Sequence, residues 1–153
     1  DGADGDGSLT AMTAATGDTL NFSYDHLKRL QRVTVKNGSS VILNTAYAYR
    51  DVSWNRGSAQ VEFRNVRLGS DSGMLLEGKK YVYDDVGNLK EIRESTGDFS
   101  KLVEYAYDDQ NQLVKESYYT PGNEEPDDVY NYSYDTAGNL LRVTKLDWKL
   151  KKR

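Results

Sequence analysis

A short tyrosine motif recurs along this chain and constrains its fold more than any other feature. An aromatic residue is followed two positions later by Tyr-Asp, then by a turn-forming residue and a leucine. Good copies occupy 22–30, 81–89, 105–113 and 132–140, with a degenerate copy at 47–57 and the end of another at 4–9. Such self-similarity is the signature of repeat architectures. We therefore interpret 1–153 as a single segment of repeats.

Each part of the motif has a physical interpretation. In Tyr-x-Tyr the two rings lie on the same face of a strand, because side chains alternate along it. The aspartate begins a turn by accepting hydrogen bonds from backbone N–H groups two residues on. Glycine three residues later supplies a positive φ, which Asn111 adopts less easily and Lys28 with the most strain. The predicted structural residues are Tyr24, Asp25 and Leu30; Tyr81, Tyr83, Asp84, Gly87 and Leu89; Tyr105, Tyr107, Asp108 and Leu113; and Tyr132, Tyr134, Asp135, Gly138 and Leu140.

The pattern predicts an all-β chain in which each copy is one antiparallel β-hairpin. Asn37-Gly38 signals a further hairpin turn between two apolar runs. The stretch 59–64 alternates like a half-buried strand and a glycine-serine segment at 69–73 ends it. No window has sustained helical periodicity. We expect about ten strands in sequential order, a β-meander with a thin, aromatic core.

The motif resembles the YD-repeat, or Rhs-repeat, family, which includes bacterial Rhs and wall-associated proteins, shell subunits of ABC-type toxins, and teneurins. The copies at 83–89 and 134–140 are closest to its typical form. The resemblance implies a curved open sheet that forms a fragment of a shell. It also implies flanking repeats and an enclosed C-terminal toxin domain as partners, in a secreted or surface protein, most often bacterial.

Composition excludes several classes of function. Without cysteine the chain forms neither disulfides nor thiolate metal sites. A net charge of −4 offers no basic field for nucleic acid. No apolar run is long enough for a membrane helix, and we expect no signal peptide within this segment. We expect the chain to be a segment of a larger protein.

Catalytic and metal-binding interpretations are weaker than structural ones. His26, the single histidine, falls inside a predicted turn, and the pairs Asp84-Asp85 and Asp108-Asp109 recur at one repeat position, as turn-formers do. Asp1, Asp4 and Asp6 resemble an acidic calcium loop but lack its full spacing. We expect no enzyme activity, no cofactor and no bound metal.

Two functions remain open. The first is structural wall material for toxin encapsulation or delivery. The second is a module whose tyrosine-rich face binds cell-surface or cell-wall carbohydrate or a protein partner. Tyrosines packed on one another or on leucines favour the first, and unpaired ring faces favour the second. Edge strands near 8–20 and 139–148, with few guarding charges, predict edge-to-edge self-association.

Overall fold

The computed structural model describes residues 2–3, 5, 7–51, 58–95 and 100–147, and all regular elements among them are β-strands. There are twelve: β1 Gly2–Ala3, β2 Leu9–Thr13, β3 Thr19–Tyr24, β4 Leu30–Asn37, β5 Ser40–Tyr49, β6 Val61–Leu68, β7 Leu75–Tyr83, β8 Leu89–Glu94, β9 Lys101–Tyr107, β10 Leu113–Tyr118, β11 Asp128–Tyr134 and β12 Leu140–Asp147.

The strands follow one another in the sheet in chain order, from β1 to β12. Every pair whose register is described is antiparallel. The predicted all-β antiparallel meander is therefore confirmed, with twelve strands rather than about ten. The chain divides into two compact units, residues 1–79 and 80–153, which are described separately.

In the first unit, the hairpin predicted at Asn37-Gly38 joins β4 to β5, and Gly38 has a φ of 56°. A second turn, at 14–17, was not predicted. There Gly17 donates its N–H to the Ala14 carbonyl at 2.9 Å and has a φ of 87°. The stretch 8–20 is consequently not one edge strand.

The first edge of this unit also differs from the expectation. Strand β1 pairs with β2, with Gly2 opposite Ala11 and Ala3 opposite Leu9. Part of the expected open edge is therefore covered. The acidic residues Asp1, Asp4 and Asp6 lie outside the described residues, as do 52–57 of the degenerate copy.

In the second unit, three motif copies form the hairpins β7–β8, β9–β10 and β11–β12. Their turns fall at 84–87, 108–111 and 135–138, where they were predicted. The β9–β10 and β11–β12 pairings shift register beside the motif, near Leu113 and Tyr134. A type I turn followed by a residue of positive φ gives this bulged hairpin. The motif therefore specifies both the turn and the bulge.

The core is thin, as predicted. Among the described residues, Val129, 3% exposed, is the one fully buried hydrophobic side chain. Buried polar residues accompany it: Asn44, Glu91 and Ser117. The stability of such a sheet depends on half-buried rings, on backbone hydrogen bonds and on the contacts between hairpins.

Candidate functional site

The motif aspartates hold their turns through one repeated set of hydrogen bonds. In each good copy one carboxylate oxygen accepts two backbone N–H groups, two and four residues on, at 2.8–3.1 Å. The second oxygen of Asp84 accepts the side-chain amide of Asn88 at 3.1 Å, and that of Asp135 accepts Asn139 at 2.9 Å. The oxygens of these carboxylates therefore accept hydrogen bonds from N–H groups of their own turn. The four aspartates are Asp25, Asp84, Asp108 and Asp135.

The electrostatics agree with this bonding. Hydrogen bonds from the side chain and backbone of Asn139 hold the pKa of Asp135 below its usual value. Burial alone would raise the pKa of Asp84, but the hydrogen bonds from Asn88, Gly87 and Val86 together outweigh it and the pKa is lowered. Carboxylates stabilised in their charged form serve the turn and are poorly suited to act as general acids.

The fourth position of each turn adopts the left-handed conformation. Gly87 and Gly138 have φ values of 99° and 85°. Lys28 and Asn111 take the same conformation, at 64° and 61°, and are the two non-glycine residues with positive φ in the described part of the chain. The positive φ predicted at Lys28 is confirmed.

The second tyrosine of the motif joins one repeat to the preceding one. Its hydroxyl donates a hydrogen bond to the backbone carbonyl of the preceding motif leucine at 2.7–2.9 Å. This contact occurs at four junctions: Tyr24 to Leu9, Tyr49 to Leu30, Tyr107 to Leu89 and Tyr134 to Leu113. These hydroxyls therefore link neighbouring hairpins.

The register of the strands explains why a hydroxyl is needed at this point. Pairing between neighbouring hairpins ends two residues after each motif leucine, for example at Glu91 after Leu89 and at Lys115 after Leu113. The strands therefore separate before they reach the leucine carbonyl. A partly buried carbonyl without a partner costs free energy, and three of these four leucines are half-buried. The tyrosine side chain reaches across the gap and supplies the missing hydrogen bond.

The degenerate copy keeps this junction although it lacks the turn aspartate. Tyr49 bonds to Leu30 at 2.7 Å, while Arg50 stands in the aspartate position. Burial, followed by the charge of Asp25, raises the pKa of Tyr49. The Arg29 guanidinium lies 4.3 Å from the centre of the Tyr49 ring and also binds Asp25. One arginine thus ties the first turn to the next repeat.

The turns of successive copies also touch. The Asn88 side-chain amide donates to Asn111 at 2.9 Å, which links two neighbouring turns of the second unit. A groove of about 480 Å³ runs beside them, lined by residues of both turns and of β8 to β10.

The motif leucines do not share one environment. Leu30, Leu89 and Leu113 are half-buried, whereas Leu140 is 53% exposed. Leu9, Leu30, Leu89 and Leu113 precede another described hairpin in the strand order and Leu140 does not; Leu9 is nevertheless 40% exposed, so a following hairpin does not by itself bury the leucine. The first-position tyrosines Tyr81 and Tyr105 are half-buried, and within the described residues their hydroxyls make no hydrogen bond.

A tyrosine–carboxylate cluster on β9 to β11 was missed by the sequence reasoning. Glu116 accepts the hydroxyls of Tyr132 at 2.8 Å and Tyr118 at 3.1 Å, and Glu104 accepts that of Tyr119 at 2.8 Å. Tyr118 and Tyr119 lie outside every motif copy, so the repeat pattern gave no signal for them. The one available signal was the presence of Glu104 and Glu116 on the neighbouring strands β9 and β10.

The pKa values of the three tyrosine hydroxyls in this cluster are strongly raised. Burial, together with hydrogen bonding to Glu116, raises the pKa of Tyr118 and of Tyr132 to about 12. Burial and the bond to Glu104 do the same for Tyr119. These hydroxyls remain protonated donors throughout the physiological range.

The remaining sequence candidates occupy exposed positions. His26, Asp85 and Asp109 lie exposed in turns. The described residues contain no group of three or more histidine and acidic side chains placed to hold a metal ion. They likewise contain no helix with the length and apolarity to cross a membrane.

Comparison with known proteins gives matches at the level of both sequence and fold. No protein-family model matches the chain. The sequence is 30% identical to the tRNA3(Ser)-specific nuclease WapA of Bacillus spizizenii and 30% identical to the tRNA nuclease WapA of Bacillus subtilis. Both alignments cover 93% of this chain but 7% of the relative. The chain thus spans a small part of these proteins.

Solved structures share the fold. The TcdB2-TccC3-Cdc42 crystal structure superposes with a TM-score of 0.56 at 19% identity, over 95% of this chain and 9% of that one. TcdB2-TccC3 without its hypervariable C-terminal region gives a TM-score of 0.56 at 17% identity, over 94% and 9%. At this identity the likeness establishes the fold alone.

Proposed function

With the resemblance to the YD-repeat family confirmed in sequence and in fold, we propose that this chain is a wall segment of a toxin shell. Its role is structural. It contributes sheet area that separates an enclosed C-terminal toxin domain from solvent, and it joins flanking repeats of the same protein. We propose that the parent protein is a secreted or surface protein of a bacterium. The bacterial source is supported by the WapA relatives, which are both from Bacillus.

The observation that carries this proposal is the junction repeated between hairpins. At four places a tyrosine hydroxyl closes the gap that opens where two neighbouring hairpins separate. A wall needs continuity from one unit to the next, whereas a binding module needs free side chains. The motif tyrosines at these junctions are used for continuity.

We also propose that the segment has no catalytic activity. The motif carboxylates, which recur often enough to suggest acid–base chemistry, are each bound to backbone N–H groups of their own turn. The WapA relatives are named as tRNA nucleases, and the matched part is 7% of each. We assign any toxic activity of the parent protein to sequence outside this segment.

Protease protection of the parent protein tests the wall function. In the full-length protein, a protease should cleave the C-terminal domain much more slowly than it cleaves the same domain expressed alone. The double variant Tyr49→Phe/Tyr107→Phe should speed that cleavage, because it removes two junction bonds. The control Tyr47→Phe/Tyr105→Phe makes the same change two residues earlier on the same strands, where the described structure has no hydroxyl bond to lose.

Two results would overturn the proposal. One is a C-terminal domain that is cleaved as fast within the parent protein as on its own. The other is equal acceleration by the junction and control variants, since the junctions would then have no special part in protection.

A specific observation supports carbohydrate binding as a second candidate. Tyr118, 39% exposed, Tyr130 and Tyr132 line a groove of about 290 Å³ with Glu116 and Asp128. Aromatic faces beside carboxylates suit sugar rings and their hydroxyls. The Tyr118 and Tyr130 rings also pack on each other edge to face, with centroids 5.7 Å apart, so the exposed face of Tyr118 is the one this candidate needs. Titration with purified cell-wall polysaccharide, followed by tyrosine fluorescence, should give a saturable change that Tyr118→Ala abolishes. An unchanged signal would remove this candidate.

A further inference from the structure

Two tyrosine rings meet where one hairpin of the second unit joins the next. Tyr118 ends β10, and its register partner on β11 is Asp128. Tyr130, two residues further along β11, is therefore the diagonal neighbour of Tyr118 on the same face of the sheet, a position from which aromatic side chains reach each other. The ring centroids are 5.7 Å apart and the ring planes are inclined at 80°. Ring atoms of two different hairpins are thus in contact.

Tyr118 is accessible, and its hydroxyl is already bonded to a proton acceptor. The residue is 39% exposed, and its hydroxyl donates to the Glu116 carboxylate at 3.1 Å. Burial and this bond raise the pKa of Tyr118 to about 12, so the phenol is protonated at neutral pH. A protonated phenol loses an electron more easily when its proton passes to a base in the same step, because no cationic radical is then formed. Glu116 is placed to be that base.

The junction between these hairpins has little to hold it beyond its backbone pairing. The register of β10 with β11 covers four residue pairs, from Lys115 with Asn131 to Tyr118 with Asp128. The chain has no cysteine, so a disulfide cannot reinforce it. Tyrosine is the other side chain that oxidation can join to its own kind. A bond between the two rings would restrict the unfolded chain as a disulfide does.

We propose that Tyr118 and Tyr130 form an oxidative cross-linking site, at which a haem peroxidase with hydrogen peroxide converts the pair to dityrosine and Glu116 accepts the proton of Tyr118. Each tyrosine loses one electron and its hydroxyl proton. The two radicals join through the ring carbons beside the hydroxyl-bearing carbons, each of these ring carbons releases its hydrogen as a proton, and each phenolate oxygen regains one. One hydrogen peroxide takes up the two electrons and two protons and becomes two water molecules.

The neighbouring tyrosine provides a matched control. Tyr119 follows Tyr118 directly in the sequence, but its hydroxyl donates to Glu104 at 2.8 Å. Because Glu104 lies on β9, this hydroxyl is held on the side of β10 away from β11. Tyr119→Phe therefore removes a phenol of the same local sequence without altering the pair of rings.

The experiment uses the 153-residue chain at low micromolar concentration, a haem peroxidase and one equivalent of hydrogen peroxide. The product should show dityrosine fluorescence, remain monomeric and be lighter by two hydrogen atoms. A glutamate-specific protease cleaves after Glu124, which is exposed in the loop between the two tyrosines, and the two fragments should stay joined. Tyr118→Phe and Tyr130→Phe should each abolish the joined fragments, and Tyr119→Phe should retain them. Glu116→Gln should slow their formation about tenfold or more, because an amide is a poor proton acceptor.

Each of four results would overturn the proposal. They are dityrosine confined to dimers, fragments that separate after cleavage, joined fragments that persist in Tyr118→Phe or in Tyr130→Phe, and formation in Glu116→Gln at the parent rate. The inference goes beyond the wall function and does not depend on it, since none of these results bears on protease protection of the parent protein.

Discussion

Replacing Tyr107 by phenylalanine tests the junction at the level of one atom. The ring stays, and the hydroxyl that donates to the Leu89 carbonyl at 2.9 Å is lost. A hydrogen bond of this kind contributes about 0.5–1.5 kcal/mol net, and an unsatisfied buried carbonyl costs about 1–3 kcal/mol. Leu89 is half-buried, so water partly replaces the hydroxyl. We expect Tyr107→Phe to lower the free energy of unfolding by about 1 kcal/mol.

Urea unfolding followed by circular dichroism measures the loss in the 153-residue chain. Because the chain has two compact units, amide exchange on β8 and β9 should accompany it and show where the stability is lost. Tyr105→Phe is the matched control on the same strand, with no hydroxyl bond within the described residues. It should stay within about 0.5 kcal/mol of the parent. Equal losses from both variants, or none from Tyr107→Phe, would refute the assigned role of the hydroxyl.

Four further outcomes are expected. Lys28→Gly should stabilise the chain by about 0.5–1 kcal/mol, because it relieves left-handed strain, and a lower melting temperature would contradict this. Leu89→Ala should lower the free energy of unfolding by about 1–2 kcal/mol, less than truncation of a fully buried leucine would. Glu94→Ala on the same strand should leave it nearly unchanged, and equal effects of the two variants would contradict the repeat register. The free energy of unfolding should fall as the pH rises from about 10 to 12, because burial and the bond to Glu116 hold the pKa of Tyr132 at about 12 in the folded state, above the roughly 10 of unfolded tyrosine. Alkaline absorbance titration would detect the raised pKa, and Glu116→Gln should lower it. EDTA should leave the melting temperature unchanged, and a shift of several degrees would support calcium binding by the acidic N-terminal residues.

The hairpins could be predicted from the sequence because their determinants are local. Asp84 and the Gly87 that follows it lie within one turn, and each acts on backbone atoms at most four residues away. The turn at 14–17 has the same backbone bonds but carries Ala14 where the motif has aspartate. Without the aspartate the pattern gave no signal, and Gly17 alone was insufficient to place a turn.

The junctions could not be predicted because they depend on register between hairpins. The tyrosine and its leucine are 15 to 21 residues apart. Their contact requires neighbouring strands to pair and then to separate at a defined residue. The same reason applies to the bond between Tyr119 and Glu104, 15 residues apart. A repeat shows which residues recur, and only the structure shows which copies bond to each other.

The motif has two separable parts, one that forms the turn and one that joins neighbouring hairpins. The degenerate copy shows that the sheet can lose the turn-forming part. The aspartate and the residue of positive φ close a hairpin, whereas the second tyrosine and the leucine carbonyl join hairpins. At Arg50 the turn aspartate is absent, and the Arg50 N–H donates to the carbonyl of Gln60, ten residues later in the sequence, at 2.9 Å. Tyr49 nevertheless keeps its bond to Leu30. The sheet can therefore lose the tight turn of one copy, but a missing junction would leave two hairpins separated at one end. Retention of the junction where the turn is lost is the behaviour expected of a segment whose function is continuity.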